Sequence, residues 1–153
     1  MIIRDMMNND VPGLMDLCQK HFYAADMDKR GQHFEKDTAI VSLRGFLENP
    51  NIKTLVIEEK GALVGITSYL ISKSIFDSKM INASEIMWYV DGDLPKQKAG
   101  KYFIKLYNVI MGWLMDMKVK NIHIGVAGTN CVKNFLVRRG FVLNDYTYRK
   151  EMV

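Results

Sequence analysis

The sequence predicts an α/β fold of the α+β type, in which a mixed central sheet of about seven strands carries about four helices. Apolar residues recur at helical spacing in the longer segments, and shorter β-rich segments bounded by turn residues lie between them. The predicted order is a strand, two helices, three strands, a helix, a strand, a helix and two strands. The 153-residue chain contains no linker-like stretch, so residues 1-153 are expected to form a single domain.

The composition is typical of a globular protein. Hydrophobic residues make up 48% and charged residues 25%, a balance that excludes a disordered or fibrous chain. No apolar run approaches the roughly 18 residues of a membrane span, and the N-terminus lacks a secretory-signal layout, so we expect a cytoplasmic protein with no membrane partner. The net charge of +4 suits a polyanionic ligand, although ordinary surface lysines give the same value. Without a basic stripe and interleaved aromatic residues, nucleic acid is not the expected partner.

The cysteines and histidines do not form a metal or disulfide pattern. Cys18 and Cys131 are far apart in the sequence, and we expect both to be reduced thiols packed as small hydrophobic residues. His21, His33 and His123 lack the spacing of metal ligands, so no metal site is predicted.

The first third of the chain predicts one strand and two helices. Residues 2–6 form the strand, and a cap at 8–10 starts a helix over about 11–22. Residues 23–36 are polar without a clear period, which predicts an irregular loop. A second helix follows from the cap at 37–38 and ends at the Asn-Pro-Asn sequence of residues 49–51.

The pattern then changes to strands. Residues 54–58 and 62–72 predict a hairpin, and Gly65 inside its second strand predicts a bulge or a close approach of backbone. Residues 80–90 form the next strand. After the long helix described below, residues 121–127 predict a strand and residues 131–139 a helix that stops at Gly140. The segments 141–143 and 146–152 predict a final hairpin.

Residues 85–117 organise the predicted fold. A buried strand leads into the basic, glycine-bearing turn 95–101, and a long amphipathic helix follows. Its apolar residues are Phe103, Leu106, Tyr107, Ile110, Trp113, Leu114 and Met117, and we assign Tyr107 and Trp113 to the core. Because the first turn of a helix has unpaired N–H groups and the positive end of the helix dipole, this stretch predicts a phosphate-binding site.

The order of elements and several motifs together resemble the GCN5-related N-acetyltransferase (GNAT) superfamily, as a divergent bacterial or bacteriophage member. IIRDMMNNDVPGLMDL resembles the first strand and helix, SEIMWYV the fourth strand, and NFLVRRGF the last helix. QKAGKY at 97–102 resembles the superfamily's pyrophosphate signature, which is Arg or Gln, two residues, Gly, one residue, then Gly or Ala. The resemblance covers nearly the whole chain and implies the acyl-CoA N-acyltransferase fold.

The resemblance implies acetyl-coenzyme A (acetyl-CoA) as the cosubstrate. It implies that backbone N–H groups of residues 98–102 hold the pyrophosphate, that Gln97 adds a side-chain donor, and that backbone at 88–90 bonds the pantetheine arm as an extra strand. The implied cofactor-binding residues are Trp88, Tyr89, Val90, Gln97, Lys98, Ala99, Gly100, Lys101, Tyr102 and Asn130. A plain helix cap is the alternative role for Asn130.

The resemblance also implies catalytic residues. Glu85 matches a glutamate that acts as general base in some members; the alternative is a carboxylate that faces solvent at the start of a strand. Many members carry a tyrosine that protonates the leaving thiolate, but the matching position here is Leu136. Tyr146, or Tyr148 on the same predicted strand, could take over that role.

Two functions follow from this resemblance. The first is an enzyme that transfers acetyl from acetyl-CoA to a primary amine of a small molecule or protein, by direct attack in a ternary complex. The second is an inactive binding or structural module, similar to acetyltransferase-like proteins of phage virions. Leu136 favours the second, as does Tyr102, which replaces the small residue of the signature and could crowd the cofactor or stack beside it. The enzyme is the preferred prediction, because water can carry the proton that Leu136 cannot donate. The acceptor is not readable from the sequence, and because superfamily members often pair, a homodimer is a further expected partner.

Overall fold

The computed structural model describes residues 1–125 and 130–144, and in these residues a mixed sheet carries four α-helices. The strands are β1 (Ile2–Asp5), β2 (Ile52–Glu59), β3 (Ala62–Lys73), β4 (Ile81–Val90) and β5 (Asn121–His123). They lie side by side in the order β1-β2-β3-β4-β5. The helices are α1 (Met15–Ala24), α2 (Lys36–Glu48), α3 (Lys96–Asp116) and α4 (Asn130–Arg138).

The strands from β1 to β4 pair antiparallel, and β5 pairs parallel to β4. This parallel pair is joined by α3, as expected because a parallel connection needs a long crossover. The β3–β4 ladder runs from Gly65 opposite Val90 to Lys73 opposite Ile81. By contrast, β5 pairs with β4 at residues 82–84 alone. The C-terminal half of β4 is therefore paired along one edge within the described residues.

Two hydrophobic clusters lie on the two faces of the sheet. On one face, α1 and α2 cover Val56 and Ile66, both of which are fully buried. On the other face, Leu106, Ile110 and Leu114 of α3 pack on a set that includes Ile57, Tyr69 and Ala83. The α3 residues recur at helical spacing, which explains why one side of this helix is buried against the sheet. Tyr107 is buried and Trp113 half-buried beside this cluster, in agreement with their predicted place in the core.

The four predicted helices are confirmed, with a change at the start of the first. Two 3-10 turns, Asn8–Asp10 and Pro12–Leu14, precede α1, which begins at Met15 instead of residue 11. Pro12 does not decide between the two helix types, because the first turn of either type tolerates a residue without an N–H. The predicted loop at 23–36 contains one further 3-10 turn, Asp28–Arg30.

The prediction of seven strands is not met in the described residues, which contain five strands. The predicted strand at 141–143 is wrong in its conformation, because residues 141–144 have no regular secondary structure. Its predicted partner at 146–152 lies outside the described residues, as do residues 126–127 at the end of the predicted fifth strand.

Gly65 marks a close backbone approach, as its place inside a strand predicted. A Cβ atom at this position would lie 2.9 Å from Cδ1 of Ile57 and 3.4 Å from the carbonyl oxygen of Tyr89. A larger side chain here would therefore force the side chain of Ile57 to move. The register shift beside it, at Ile57 and Glu58, is the irregularity that the glycine accompanies.

Candidate active site

A cavity of about 480 Å³ opens where β4 and β5 separate. Since β5 ends at His123 while β4 continues to Val90, the edge of β4 from Glu85 onward faces this cavity instead of a described strand. The walls come from the sheet, from α1, α3 and α4, and from the residues after β5. They are lined by His21, Ala24, Ala25, Glu85, Trp88, Tyr89, Val90, Ala99, Gly100, Phe103, Ile104, Ile124, Gly125, Val132 and Phe135.

One wall of the cavity is an aromatic cluster. Trp88 of β4 stacks on Phe103 of α3, with ring centroids 3.8 Å apart and ring planes 6° apart. Phe135 of α4 meets both rings edge-on, at 6.4 Å from Trp88 and 5.6 Å from Phe103. Stacked and edge-on pairs are the favoured aromatic arrangements, so this cluster fixes the distance between β4, α3 and α4.

Glu85 is the carboxylate that lines this otherwise apolar cavity. It is half-buried, and its Oε2 accepts a hydrogen bond of 3.2 Å from the backbone N–H of Gly125. Burial raises the pKa of Glu85 to about 7, and the Gly125 hydrogen bond partly opposes that shift. The predicted alternative, a carboxylate facing solvent, does not agree with this position. A carboxyl group with this pKa exchanges protons readily near neutral pH.

A β-bulge at Ile86 places Glu85 and Trp88 on the same face of the sheet. Met87 lies opposite Ser68 and Glu85 opposite Tyr69, so Ile86 is the extra residue of β4. In a regular strand, residues three apart point to opposite faces. The bulge inserts one residue, and both side chains therefore face α3.

The wall on the α1 side contains a histidine that the sequence did not single out as a site residue. His21 lies with its ring centroid 5.5 Å from that of Tyr89. Burial lowers the pKa of His21, so the imidazole is neutral at pH 7. Ala24 and Ala25, which follow on α1 and at its end, leave this side of the cavity open.

The start of α3 differs from the predicted phosphate loop. The helix begins at Lys96, and the N–H groups of Lys98 and Ala99 both donate to the carbonyl of Pro95, at 2.8 and 2.9 Å. Because later N–H groups belong to the helical ladder, the donors with no intrahelical partner are those of Lys96 and Gln97 instead of 98–102. Ala99 and Gly100 face the cavity, and a Cβ atom on Gly100 would meet nothing within 4 Å.

Tyr102 does not crowd the cavity. Its side chain is buried on the sheet side of α3, and its hydroxyl donates to Oε1 of Glu59 at 2.8 Å. Lys98 pairs with the other oxygen of Glu59, with Nζ and Oε2 2.7 Å apart. These contacts fasten the first turns of α3 to the β2–β3 hairpin. The Tyr102 ring therefore points away from the cavity, which argues against the expectation that it crowds a cofactor there.

A second fastening lies on the other side of the cavity. Lys20 of α1 contacts Asp91 at 3.1 Å and Asp93 at 2.7 Å, in the loop between β4 and α3. It also pairs with Asp16 one helical turn earlier, at 2.9 Å. The loop that leads to the start of α3 is thus held from the α1 side, while Glu59 holds α3 from the hairpin side.

Six of the predicted site residues lie around one cavity: Glu85, Trp88, Tyr89, Val90, Ala99 and Gly100. Gln97, Lys98, Lys101 and Tyr102 do not line it, and their proposed contacts with a cofactor stay predictions. Asn130 begins α4, but its side chain is outside the description, and Tyr146 lies outside the described residues altogether. The sequence missed Phe103 and Phe135 as wall residues, since helical spacing assigns such aromatics to a core.

The described residues contain neither a metal-binding cluster nor a membrane-spanning helix. No group of three or more His, Cys, Asp or Glu side chains in these residues could hold a metal ion. Among the described helices, none is long and apolar enough to cross a membrane.

The chain is similar over its whole length to solved structures, among them several that are named acetyltransferases. A four-substitution variant of the BH1408 protein from Bacillus halodurans matches with a TM-score of 0.79 at 16% identity, over 99% of this chain and 100% of that chain. A GNAT family acetyltransferase from Staphylococcus aureus matches with a TM-score of 0.70 at 16% identity, over 99% and 98% of the two chains. The aminoglycoside 6'-N-acetyltransferase of Acinetobacter haemolyticus matches at 0.71 and 12% identity, over 100% and 99%.

These structures define the class of fold. The chain has the fold of the GNAT acetyltransferases, which confirms the resemblance read from the sequence. No protein-family model matches the chain, and no curated protein matches it significantly. Identities of this size establish the fold alone, so the activity has to be argued from the residues of the cavity.

Proposed function

We propose that the chain is an N-acetyltransferase that moves the acetyl group of acetyl-CoA to a primary amine by direct attack within a ternary complex. The observation that carries the proposal is the cavity between β4 and β5, which extends from the start of α3 to the partly buried carboxylate of Glu85. An open cleft beside a strand edge that no described strand pairs, with a carboxylate in its lining, is the arrangement expected of a ligand site in an α/β fold.

The residues present fit acetyl-CoA in three respects. Backbone groups of Trp88, Tyr89 and Val90 lie on the open edge of β4, where an extended pantetheine arm can pair as an additional strand. Gly100 leaves free space against the cavity. The first turn of α3 supplies unpaired N–H groups and the helix dipole for a pyrophosphate. Lys96 and Lys101 are exposed and add positive charge, whereas Lys98 is paired with Glu59.

Glu85 is the proposed general base. An amine in water is protonated, and it has to lose a proton before its nitrogen can attack the thioester carbonyl carbon; the C–S bond then breaks and the thiolate leaves. A carboxylate whose pKa is about 7 can accept that proton at neutral pH. Backbone N–H groups on the open edge of β4 are proposed to polarise the carbonyl oxygen. Leu136 cannot protonate the thiolate, so Tyr146 or water is proposed as the acid.

The acceptor amine is proposed to enter from the α1 side. His21, Ala24 and Ala25 form that wall, and their small or neutral side chains leave room beside Glu85. The described lining contains no lysine or arginine, so a cationic acceptor meets no repelling charge in the cavity. The acceptor stays a primary amine of a small molecule or a protein.

The inactive-module alternative is less well supported. One of its two arguments was Tyr102, and that side chain lies away from the cavity with its hydroxyl on Glu59. Its other argument, Leu136, is a buried residue of α4. A missing proton donor lowers a rate without abolishing it when water can reach the leaving group, so Leu136 does not exclude catalysis.

Cofactor binding is tested by isothermal titration calorimetry with acetyl-CoA. We expect saturable binding to the wild-type chain and loss of binding in Gly100→Leu, since leucine would project into the cavity. Gly112→Leu is the matched control, because Gly112 lies on the same helix and a Cβ there also meets nothing within 4 Å, yet it does not line the cavity. Absence of binding to the wild type at millimolar acetyl-CoA would overturn the proposal.

Turnover is tested by following release of the free thiol of coenzyme A with a panel of primary amines. The proposed enzyme releases thiol in an amine-dependent manner and transfers acetyl to the amine, as mass spectrometry can verify. Saturable cofactor binding together with no amine-dependent release across the panel would instead support the inactive module.

A further inference from the structure

Three polar side-chain atoms near the cavity are buried without a hydrogen-bond partner in the described residues. They are Oγ1 of Thr67, the hydroxyl of Tyr69 and Nε1 of Trp88. Buried polar atoms are normally paired, either with protein groups or with ordered water, because an unpaired one carries its full desolvation cost. An unpaired buried polar atom in a native protein therefore indicates a hydrogen-bond partner that the described residues of the chain do not supply.

Tyr69 stands out among the three because it is the neighbour of Glu85. The two residues lie directly opposite each other in the β3–β4 ladder, next to the bulge at Ile86. Residues paired in this way have side chains on the same face, with Cβ atoms about 5 Å apart. The side chain of Tyr69 is 0% exposed, so its hydroxyl cannot turn to bulk solvent.

Electrostatics supports this proximity. The pKa of Tyr69 is raised by burial first and by the charge of Glu85 second, so the hydroxyl keeps its proton and is a donor at neutral pH. The Glu85 carboxylate accepts one hydrogen bond, from Gly125, although two oxygens can accept more. Tyr69 therefore has a hydroxyl donor without a hydrogen-bond partner, and Glu85 has a carboxylate that can accept a further hydrogen bond.

The groups around Glu85 leave few other ways to stabilise its charge. The titratable groups that face this region are Tyr69 from β3, Tyr89 from β4, Tyr107 from α3 and His21 from α1. Arg139 lies over the rings of Tyr107 and Phe135, 5.4 and 5.3 Å from their centroids, and does not line the cavity. His21 is neutral, and no lysine or arginine lines the described cavity. An ionised Glu85 therefore depends on hydrogen-bond donors instead of on a cation.

We propose that Tyr69 is a positioning residue for Glu85: its hydroxyl donates a hydrogen bond to one buried water molecule, which in turn donates to the carboxylate and thereby favours the ionised form that accepts the amine proton. The catalytic meaning of this contact rests on the proposed function. The contact itself is a property of the folded chain, so it can be measured without any acceptor or cofactor.

The test is a ¹³C NMR titration of the side-chain carboxyl of Glu85, assigned by its absence in Glu85→Gln. In Tyr69→Phe, which keeps the ring and removes the hydroxyl, the pKa of Glu85 is expected to rise by about one unit, the size of one hydrogen bond to a charged group. Thr67→Val is the matched control. It also removes a buried unpartnered hydroxyl from β3, but Thr67 lies opposite Trp88, so the pKa of Glu85 should not change.

An unchanged or lower pKa of Glu85 in Tyr69→Phe would overturn the proposal, and so would an equal rise in Thr67→Val. If Tyr69→Phe does not fold, the wild type still decides. The Cζ resonance of Tyr69 is expected to shift with the same midpoint as Glu85, and a Cζ resonance that stays constant through that midpoint would contradict the contact. If no amine is ever acetylated, the proposed function fails while the Glu85 titration still reports on Tyr69.

Discussion

Glu59 on β2 and Glu85 on β4 are carboxylates of the same sheet, separated by β3, and their hydrogen-bond partners differ. Glu59 at the end of β2 has both oxygens filled, one by Lys98 and one by Tyr102. These bonds, that from Lys98 first, lower the pKa of Glu59. Among the described residues Glu85 has one backbone donor and no cationic partner, and burial raises its pKa to about 7. The same side chain is therefore a fixed anion at one position and a proton acceptor at the other.

This difference separates a structural carboxylate, Glu59, from the carboxylate that we propose as the general base, Glu85. A carboxylate whose bonds are filled stabilises the elements it joins, here the hairpin and α3, and has no reason to exchange protons near pH 7. A partly buried carboxylate that lacks hydrogen-bond donors lowers the stability of the fold. Such groups are found mainly at functional sites, where the loss of stability is tolerated. The following predictions contrast the two residues directly.

The largest expected difference is in catalysis. Glu85→Gln should lower kcat/KM for acetyl transfer by about 10²-fold or more, because general base catalysis contributes on the order of 10² to 10⁴. Glu59→Gln removes a carboxylate of the same kind and should leave kcat/KM within a few-fold of wild type. Steady-state thiol release measures both. Comparable losses in the two variants would mean that Glu85 has no special role.

The pH dependence should carry the signature of Glu85. As pH falls below the pKa of about 7, Glu85 becomes protonated and kcat/KM is expected to fall about tenfold per pH unit. The profile of Glu59→Gln should keep this limb with the same midpoint. A limb that persists at the same pH in Glu85→Gln would assign the titration to another group, such as the acceptor amine.

Stability should respond to pH through Glu85. Its pKa is higher in the folded chain, about 7, than the ordinary value of 4.5, so the folded state holds a proton that the unfolded state has lost between these values. Stability therefore falls as pH rises through that window, by at most about 3 kcal/mol, and less to the extent that solvent reaches the carboxylate. Denaturant unfolding of Glu85→Gln should lack this fall and show higher stability than wild type at pH 8. A wild-type curve parallel to that of the variant would contradict the raised pKa.

The smallest expected effect is at Glu59, where the dependence of stability on pH has the opposite sign. Because its pKa is lowered on folding, its contribution to stability is present above the ordinary value of 4.5 and is lost as pH falls through the folded pKa. Thermal unfolding of Glu59→Gln should show a small loss near neutral pH that disappears in acid. Tyr102→Phe should reproduce part of this loss, and a variant more stable than wild type at pH 7 would contradict the structural role.

Much of the fold could be predicted from the sequence, because hydrophobic periodicity indicates the helices and strands, and glycine and proline residues indicate where they end or come close together. The helical spacing of apolar residues predicted α3, and Gly65 predicted the close contact between β2 and β3. The start of α1 was misplaced because Pro12 favours a first turn without specifying an α-helix over a 3-10 turn. The segment at 141–143 has strand-like composition, but strand pairing is a tertiary property that composition does not contain.

The site was less predictable, because it depends on side-chain orientations and on contacts between residues far apart in the chain. A sequence gives the position of Tyr102 in a motif but not the side of α3 on which its ring lies. In the structure the ring lies on the buried side of the helix. The bulge at Ile86, which sets the face of Glu85, leaves no mark in a run of apolar residues. His21 reaches the cavity through the packing of α1 on the sheet, a contact between residues far apart in the chain.

The most direct test of the account is a crystal structure of the chain with coenzyme A bound. The account predicts the pantetheine arm along the open edge of β4 at Trp88–Val90, the pyrophosphate at the first turn of α3, and the sulfur at the end of the cavity that holds Glu85. Coenzyme A bound elsewhere on the chain, or a cavity filled by other parts of the protein, would contradict it.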